Sequence, residues 1–317
     1  MSLFAKSRKL PGWLAFSLRK DGIRTAYVKR LPSPALPKVE AVGFHACDGA
    51  SRVSALEKLA KDFQASRHEC TTLLASDEYQ LLSVEAPNVP PDELKTAIRW
   101  RLKDMLDYRI DDATIDVLDV PVDKNAPVRS HSMYAVAARN QVIEQRQALF
   151  SNAKIPLKVI DIPELAQRNI SALLEKEGRG LAMVSFDDDG GLLTVTFGGE
   201  LYLSRRIDIS HEQLMQGDAA QQSARHERIT LELQRSLDHV DRQYNFIAIA
   251  KLLIAPMPGD IVGLRDYLAS NLYVPVEVLR LEEVLDLSAV PDLRDAAGQQ
   301  RYFMTLGAAL RHVEKAL

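Results

Sequence analysis

A strand–turn–strand pattern closed by Asp-Gly occurs twice in this chain, and no other feature restricts its fold as tightly. The first copy places Lys20-Asp21-Gly22 between the apolar run Trp13–Leu18 and Gly22–Val28. The second places Asp187-Asp188-Asp189-Gly190-Gly191 between Leu181–Ser185 and Leu192–Phe197. Asp-Gly favours the left-handed backbone that a tight hairpin needs, so both segments read as hairpins. Each is followed by a third strand, Val39–His45 in the first case and Leu201–Ile207 in the second.

Helical spacing follows each meander. Ser51–Ala65 carries Val53, Leu56, Leu59, Ala60 and Phe63 on one stripe, and Ala219–Phe246 is a long helical stretch. Thr71–Ala75 and Gln80–Glu85 read as strands, and Pro87–Pro91 is a break. Asp92–Leu106 is predicted as a helix with Leu94, Ile98, Leu102 and Met105 on one face. Ile115–Val122 and Ser132–Ala138 are strands around a polar loop at 123–130, and Asn140–Asn152 is a helix. Leu157–Ile160 (strand) and Pro163–Glu177 (helix) lead into the second meander. Lys251–Ala255, Val262–Ser270, Val274–Val278 and Gln300–Val313 alternate strand and helix to the end. This alternation predicts an α/β fold. The recurrence predicts two related lobes, residues 1–165 and 166–317, with a small α+β insertion at about 90–138 in the first.

Composition narrows the chemistry. A net charge of −3 over 317 residues offers no basic field for nucleic acid. Two cysteines, Cys47 and Cys70, far apart in sequence, read as free thiols with no zinc-ligand spacing around them. None of the seven histidines stands four residues from another, and neither a Walker lysine motif nor a Gly-x-Ser-x-Gly elbow occurs. No apolar window spans a bilayer. Residues 1–10 read as a solvated terminus, with contact to an anionic membrane surface as the alternative. Asp111, Asp112, Asp116 and Asp119 read as a solvated face, and Asp238, His239, Asp241 and Arg242 as surface charge on the long helix.

A duplicated β-meander with a tight first turn resembles the plan of the actin/Hsp70/hexokinase superfamily. The segment from Val184 through Val195, then Gly199 and Tyr202-Leu203-Ser204-Arg205, resembles the second phosphate turn of the PilM-like proteins of type IV pilus assembly. Val84-Glu85-Ala86-Pro87 with Asp92–Ile98, Leu231–Asp238, and Phe303–Arg311 resemble further segments of that family in the same order. Within it, the altered turns resemble most the branch serving the mannose-sensitive haemagglutinin (MSHA) pilus.

The resemblance implies an actin-like fold in which each turn opens on a magnesium-holding Asp followed by a Gly beside the phosphates. This chain departs from that pattern. Ser17 and Arg19 replace the acid and glycine of the first turn, with Lys20 and Arg24 beside them. Ser185 and Asp187 replace them in the second, followed by Asp188 and Asp189. The adenosine-binding Gly-Gly pair corresponds to Pro256-Met257. Arg19 is expected to fill phosphate space, and the three carboxylates to repel a triphosphate by about 1 kcal/mol per unit pair at 4 Å in water. Direct metal binding by Asp21 with Asp187–Asp189, or metal-free phosphate binding by Arg19, Lys20 and Arg24, is the alternative.

The expectation is therefore a scaffold rather than an enzyme, with no cofactor and no metal, cytoplasmic and peripheral to the inner membrane. The resemblance implies a groove for the cytoplasmic tail of a PilN-like bitopic inner-membrane protein, and contact with the pilus assembly ATPase. Leu94, Ile98, Trp100, Arg101 and Leu102 are the candidate partner-binding residues, with a core face as the other reading of the stripe Leu94, Ile98 and Leu102. An ATP/Mg-dependent switch and a cytoplasmic domain of a type II secretion platform are the competing readings.

Overall fold

Two strands joined by a two-residue turn begin the described chain. The computed structural model describes residues 9–32, 34–90, 92–122, 131–257 and 263–312. The alternative readings of residues 1–8 and the loop at 123–130 lie outside these residues. Trp13–Arg19 (β1) and Gly22–Lys29 (β2) pair antiparallel with Arg19 opposite Gly22, and Lys38–Ala46 (β3) adds to β2. Gly22 is required there: its φ is +149°, and a Cβ would stand 2.3 Å from the His45 carbonyl oxygen. After Arg52–Asp62 (α1), Glu69–Leu73 (β4) returns parallel to β1.

The chain then leaves this sheet. Tyr79–Glu85 (β5), Leu94–Leu102 (α2), Ala113–Asp119 (β6) and Ser132–Arg139 (β7) build a separate antiparallel sheet of order β5-β7-β6. β5 pairs with β7 along its whole length, so the inserted unit begins at Tyr79 rather than near residue 90. Asn140–Asn152 (α3) leads back to Leu157–Asp161 (β8), which closes the first sheet as its edge strand in the order β3-β2-β1-β4-β8.

Pro163–Ser171 (α4) crosses to the second half, where the pattern repeats. Gly180–Asp187 (β9), Gly190–Phe197 (β10) and Glu200–Ile207 (β11) form the second meander. His211–Met215 (α5) and Ala219–Gln243 (α6) precede Ile249–Ile254 (β12), which runs parallel to β9. Leu264–Asn271 (α7) leads to the edge strand Val276–Val278 (β13), giving the order β11-β10-β9-β12-β13. The two sheets thus share one topology.

Ala296–Ala309 (α8) begins at an Asp295 N-cap and not at Gln300, because the Asp295 side chain accepts from the Gly298 N–H. α4 packs on β9, β10 and β11, whereas α8 packs on β1, β2 and β4, and the two helices pack on each other. Gly307 permits that crossing, since a Cβ there would meet the Ala166 carbonyl oxygen at 2.2 Å. The helical layer between the sheets therefore draws from both halves of the chain, and the expected division at 165/166 falls inside α4. Its apolar contacts (Ala166, Ile170, Leu306, Phe303) join Met183 and Leu253 of one sheet to Ala15 and Ala26 of the other.

Candidate functional site

The two hairpin turns face each other across a cleft of about 380 Å³, lined by Ser17, Arg19, Arg24, Ser185, Asp187, Pro256, Gln300 and Arg301 among others. Arg19 ends β1 and Asp187 ends β9, at equivalent places in the two meanders. The Arg19 guanidinium crosses the cleft: Nη2 donates to Asp187 Oδ2 at 3.0 Å, and Nη1 lies 2.9 Å from Asp189 Oδ2. The Asp189 N–H donates to Asp187 Oδ1 at 2.9 Å and fixes the turn.

The charges of this cluster are partly offset within it. Burial lowers the Arg19 pKa, but Asp187, Asp189 and Asp188 more than reverse that and leave it raised. Burial pushes the Asp187 carboxyl up, and the opposing pull of Arg19 and the Asp189 N–H does not fully restore it. Arg24 is held by Asp21 through two 2.8 Å hydrogen bonds, while Lys20 and Asp188 are exposed at the turn tips.

This geometry modifies the electrostatic expectation. The single Arg19 guanidinium stands between the turns and offsets part of the charge of Asp187 and Asp189, while Asp188 at the cleft wall adds a third carboxylate.

The remaining sub-sites are equally altered. Ser185 Oγ donates to Gln167 Oε1 at 2.6 Å, and Gln167 Nε2 donates to the Met183 carbonyl and to Thr194 Oγ1, each at 2.9 Å. Gln167 was not anticipated from sequence; α4 is buried on all sides, so no amphipathic stripe marks its polar residues. Ser17 is buried at the cleft wall. Pro256 lines the cleft, whereas Met257 packs on the core of the second sheet. Among the described residues no group of His, Cys, Asp or Glu is arranged to hold a metal ion. Where the resemblance expects magnesium-holding acids, Ser17 and Ser185 carry hydroxyls, and Arg19 spans the space between the turns, so these residues do not fit a magnesium nucleotide held in that way.

A second concavity lies where the inserted sheet meets the first. β6 and β8 are both edge strands, and they flank two adjoining cavities of about 270 and 470 Å³. Both are lined by Asp116, Val136, Val159, Ile160 and Ile162; the larger also reaches Leu165 and Arg168 of α4 and Glu200 and Leu201 of β11. Lys95 meets Asp116 at the rim, 2.9 Å apart. Val159 and Ile160 are only half-buried although they belong to a sheet strand. An edge strand beside half-buried apolar side chains is suited to adding an extended peptide.

The residues expected to bind a partner do not line this groove. Ile98 and Leu102 are fully buried, and with half-buried Leu94 they pack on Val84, Val117 and Met133 of the inserted sheet. The apolar stripe of α2 is therefore spent inside its own subdomain. Trp100 lies on the other side of α2, 71% exposed, and Arg101 stands 3.8 Å from Glu85. Of the groove lining, only Lys95 comes from α2.

Three solved structures resemble this one. One described as a PilM–PilN type IV pilus biogenesis complex matches 96% of this chain and 99% of its own, with TM-score 0.73 and 17% identity. The cytoplasmic domain of EpsL, an inner-membrane component of the type II secretion system of Vibrio cholerae, matches 95% of each chain at TM-score 0.50 and 15% identity. A Bacteroides thetaiotaomicron protein with an actin-like ATPase fold and unknown function covers 90% of this chain and 96% of its own, at TM-score 0.49 and 12% identity. No family model matches the sequence, and no curated protein matches it. Among the described residues no helix is long and apolar enough to cross a membrane. The duplicated sheet order, the crossed helices between the sheets and the full-length superposition establish a two-lobed actin-like fold.

Proposed function

We propose that this protein is a scaffold of a type IV pilus assembly platform, working without nucleotide turnover at the cytoplasmic face of the inner membrane. Its groove between β6 and β8 receives the cytoplasmic N-terminal tail of a PilN-like bitopic protein, and the body of the molecule relays contacts to the assembly ATPase. Within such platforms it takes the place of MshI, the PilM counterpart of the MSHA pilus. The observation that carries this reading is the pair of edge strands facing each other over half-buried apolar side chains, Val159 and Ile160 on β8 and Leu118 on β6. The likeness to a PilM structure described as a complex with PilN supports the choice of occupant. A tail tethered to the membrane by its own protein needs only modest affinity, because tethering raises its effective concentration.

Fluorescence anisotropy with a labelled synthetic tail tests this. The expected result is saturable binding, weakened at least about tenfold by Val159→Glu, which places a charge where an apolar side chain would seat. Absence of binding, or binding indifferent to Val159→Glu, overturns it. The likeness to the EpsL domain supports a second reading, a type II secretion platform component. In that case the tail of the secretion partner binds in preference to the pilus tail.

A further inference from the structure

We infer that Arg19 is an internal clasp: it holds the two lobes closed with no ligand between them, and so keeps the walls of the β6–β8 groove in register. The second half of this statement rests on the peptide-binding reading above; the first does not.

The clasp joins equivalent positions. Arg19 stands opposite Gly22 across the first turn, and Asp187 opposite Gly190 across the second. Where two related lobes face each other, identical residues would repel or ignore one another. Here one lobe supplies a guanidinium and the other two carboxylates. The single Arg19 fork is shared between Asp187 at 3.0 Å and Asp189 at 2.9 Å, with side chains only 18%, 31% and 20% exposed. A charge-assisted fork of this kind is directional as well as attractive. The acceptor turn is braced from behind: Gln300 of α8 donates to the Phe186 carbonyl at 3.2 Å, and Ser185 is tied to Gln167. The donor turn is kept apart from the same acids by its own pair, Asp21 with Arg24.

A second junction ties the inserted sheet to both halves of the molecule. Glu164, at the start of α4, accepts from the Tyr79 hydroxyl of β5 and from Arg206 of β11 at 2.9 Å, and Arg206 also donates to that hydroxyl at 2.6 Å. One buried carboxylate thus links the inserted sheet, the interlobe helix and the second sheet. The groove is lined on one side by Val159 and Ile160 of the first sheet and on the other by Leu201 of the second. Leu201 lies at the end of the second meander remote from the Asp187–Asp189 turn, so on this inference a rotation that parts the turns alters the spacing between Leu201 and β8. A closed clasp therefore keeps the binding-competent shape populated before any tail arrives, and loss of the clasp lowers apparent affinity by the fraction of molecules that open.

The test uses paired spin labels in the full chain, at Lys58→Cys on α1 and Glu227→Cys on α6, both exposed. Cys47→Ser removes the half-exposed native thiol; Cys70 is fully buried, and burial pushes its thiol up to about 12, so it does not label. The unaltered clasp is expected to give one narrow interlobe distance, unchanged by ATP with magnesium. Arg19→Ala is expected to lengthen and broaden it, and to weaken tail binding about fivefold. Arg19→Asp combined with Asp187→Arg restores the narrow distance, because the guanidinium then sits beside Asp189 and faces the new acid. If Arg19→Ala does not fold, Asp187→Asn with Asp189→Asn makes the same prediction with nearly isosteric changes. A folded clasp variant whose interlobe distance matches that of the unaltered protein overturns the inference, whatever the tail does. Failure of the tail to bind the unaltered protein overturns the groove reading while the distance measurement still decides the clasp.

Discussion

The interlobe cleft and the β6–β8 groove are both concave, yet they differ in how far the chain satisfies its own groups. In the cleft the charges nearest the centre are paired within the chain, Arg19 with Asp187 and Asp189 and Arg24 with Asp21, while Lys20 and Asp188 stay exposed at the turn tips. In the groove, among the described residues, two strand edges lack strand neighbours, and apolar side chains on β8 are half-buried. A ligand entering the cleft must compete with the Arg19 charge pairs; one entering the groove can bury apolar surface and pair strand edges, beside ion pairs such as Lys95–Asp116 at the rim. The cleft has the interlobe position of an actin-like fold, while the open strand edges lie at the groove, which is why peptide binding is proposed there.

The contrast is broken most severely from beneath the groove. Ile98 is fully buried between α2 and the inserted sheet, so Ile98→Asp is expected to lower stability by roughly 4 kcal/mol or more, read by denaturant unfolding. Tail binding is lost with it, through loss of the subdomain rather than of a contact. Glu164→Ala comes next. It leaves the Tyr79 O–H without its acceptor and Arg206 without its counter-charge, although the two still bond each other, and should lower stability by about 2 kcal/mol in the same assay. Trp100→Ala sharpens the comparison by its smallness. The indole is exposed outside the groove, so stability should stay within about 0.5 kcal/mol and tail affinity should not move.

The smallest expected effect concerns acid. Slight burial raises the Asp21 pKa, but the hydrogen bonds and charge of Arg24 more than reverse this and leave it below its ordinary value. A carboxylate depressed in the folded state adds stability above its unfolded pKa, near 3.8, and that contribution fades as pH falls through the folded value. Melting curves between pH 4 and pH 2 should therefore fall less steeply for Asp21→Asn than for the unaltered protein. Equal slopes would remove Asp21–Arg24 from the set of pairs that keep the cleft self-satisfied.

Much of the architecture was legible from residue order. Asp-Gly turns inside alternating apolar segments marked both hairpins, and their recurrence marked the two lobes. Ser17, Arg19, Ser185 and Asp187, standing where the resemblance expects acid and glycine, could be located for the same reason, since their places are fixed relative to the turns. What stayed hidden depends on contacts between distant segments. Arg19 and Asp187 are 168 residues apart and meet only when the sheets face each other, so their charges read as two separate peculiarities. The α2 stripe is a sound amphipathic pattern, but periodicity cannot tell whether a sheet of the same subdomain or a partner covers it. Leu157–Ile160 reads as an ordinary short strand; that it is an edge, and therefore open, follows from sheet order. β5 was separated from its own subdomain because Pro87–Pro91 looks like a boundary, whereas full-length pairing with β7 ignores it.

Thermal unfolding of the full chain with two ligands in parallel tests the central claim most directly. A ligand that binds the folded state raises Tm in proportion to the logarithm of its saturation. A saturating synthetic tail is predicted to raise Tm by several degrees, and millimolar ATP with magnesium to leave it unchanged. A saturable rise of several degrees with micromolar ATP and none with the tail would contradict the account.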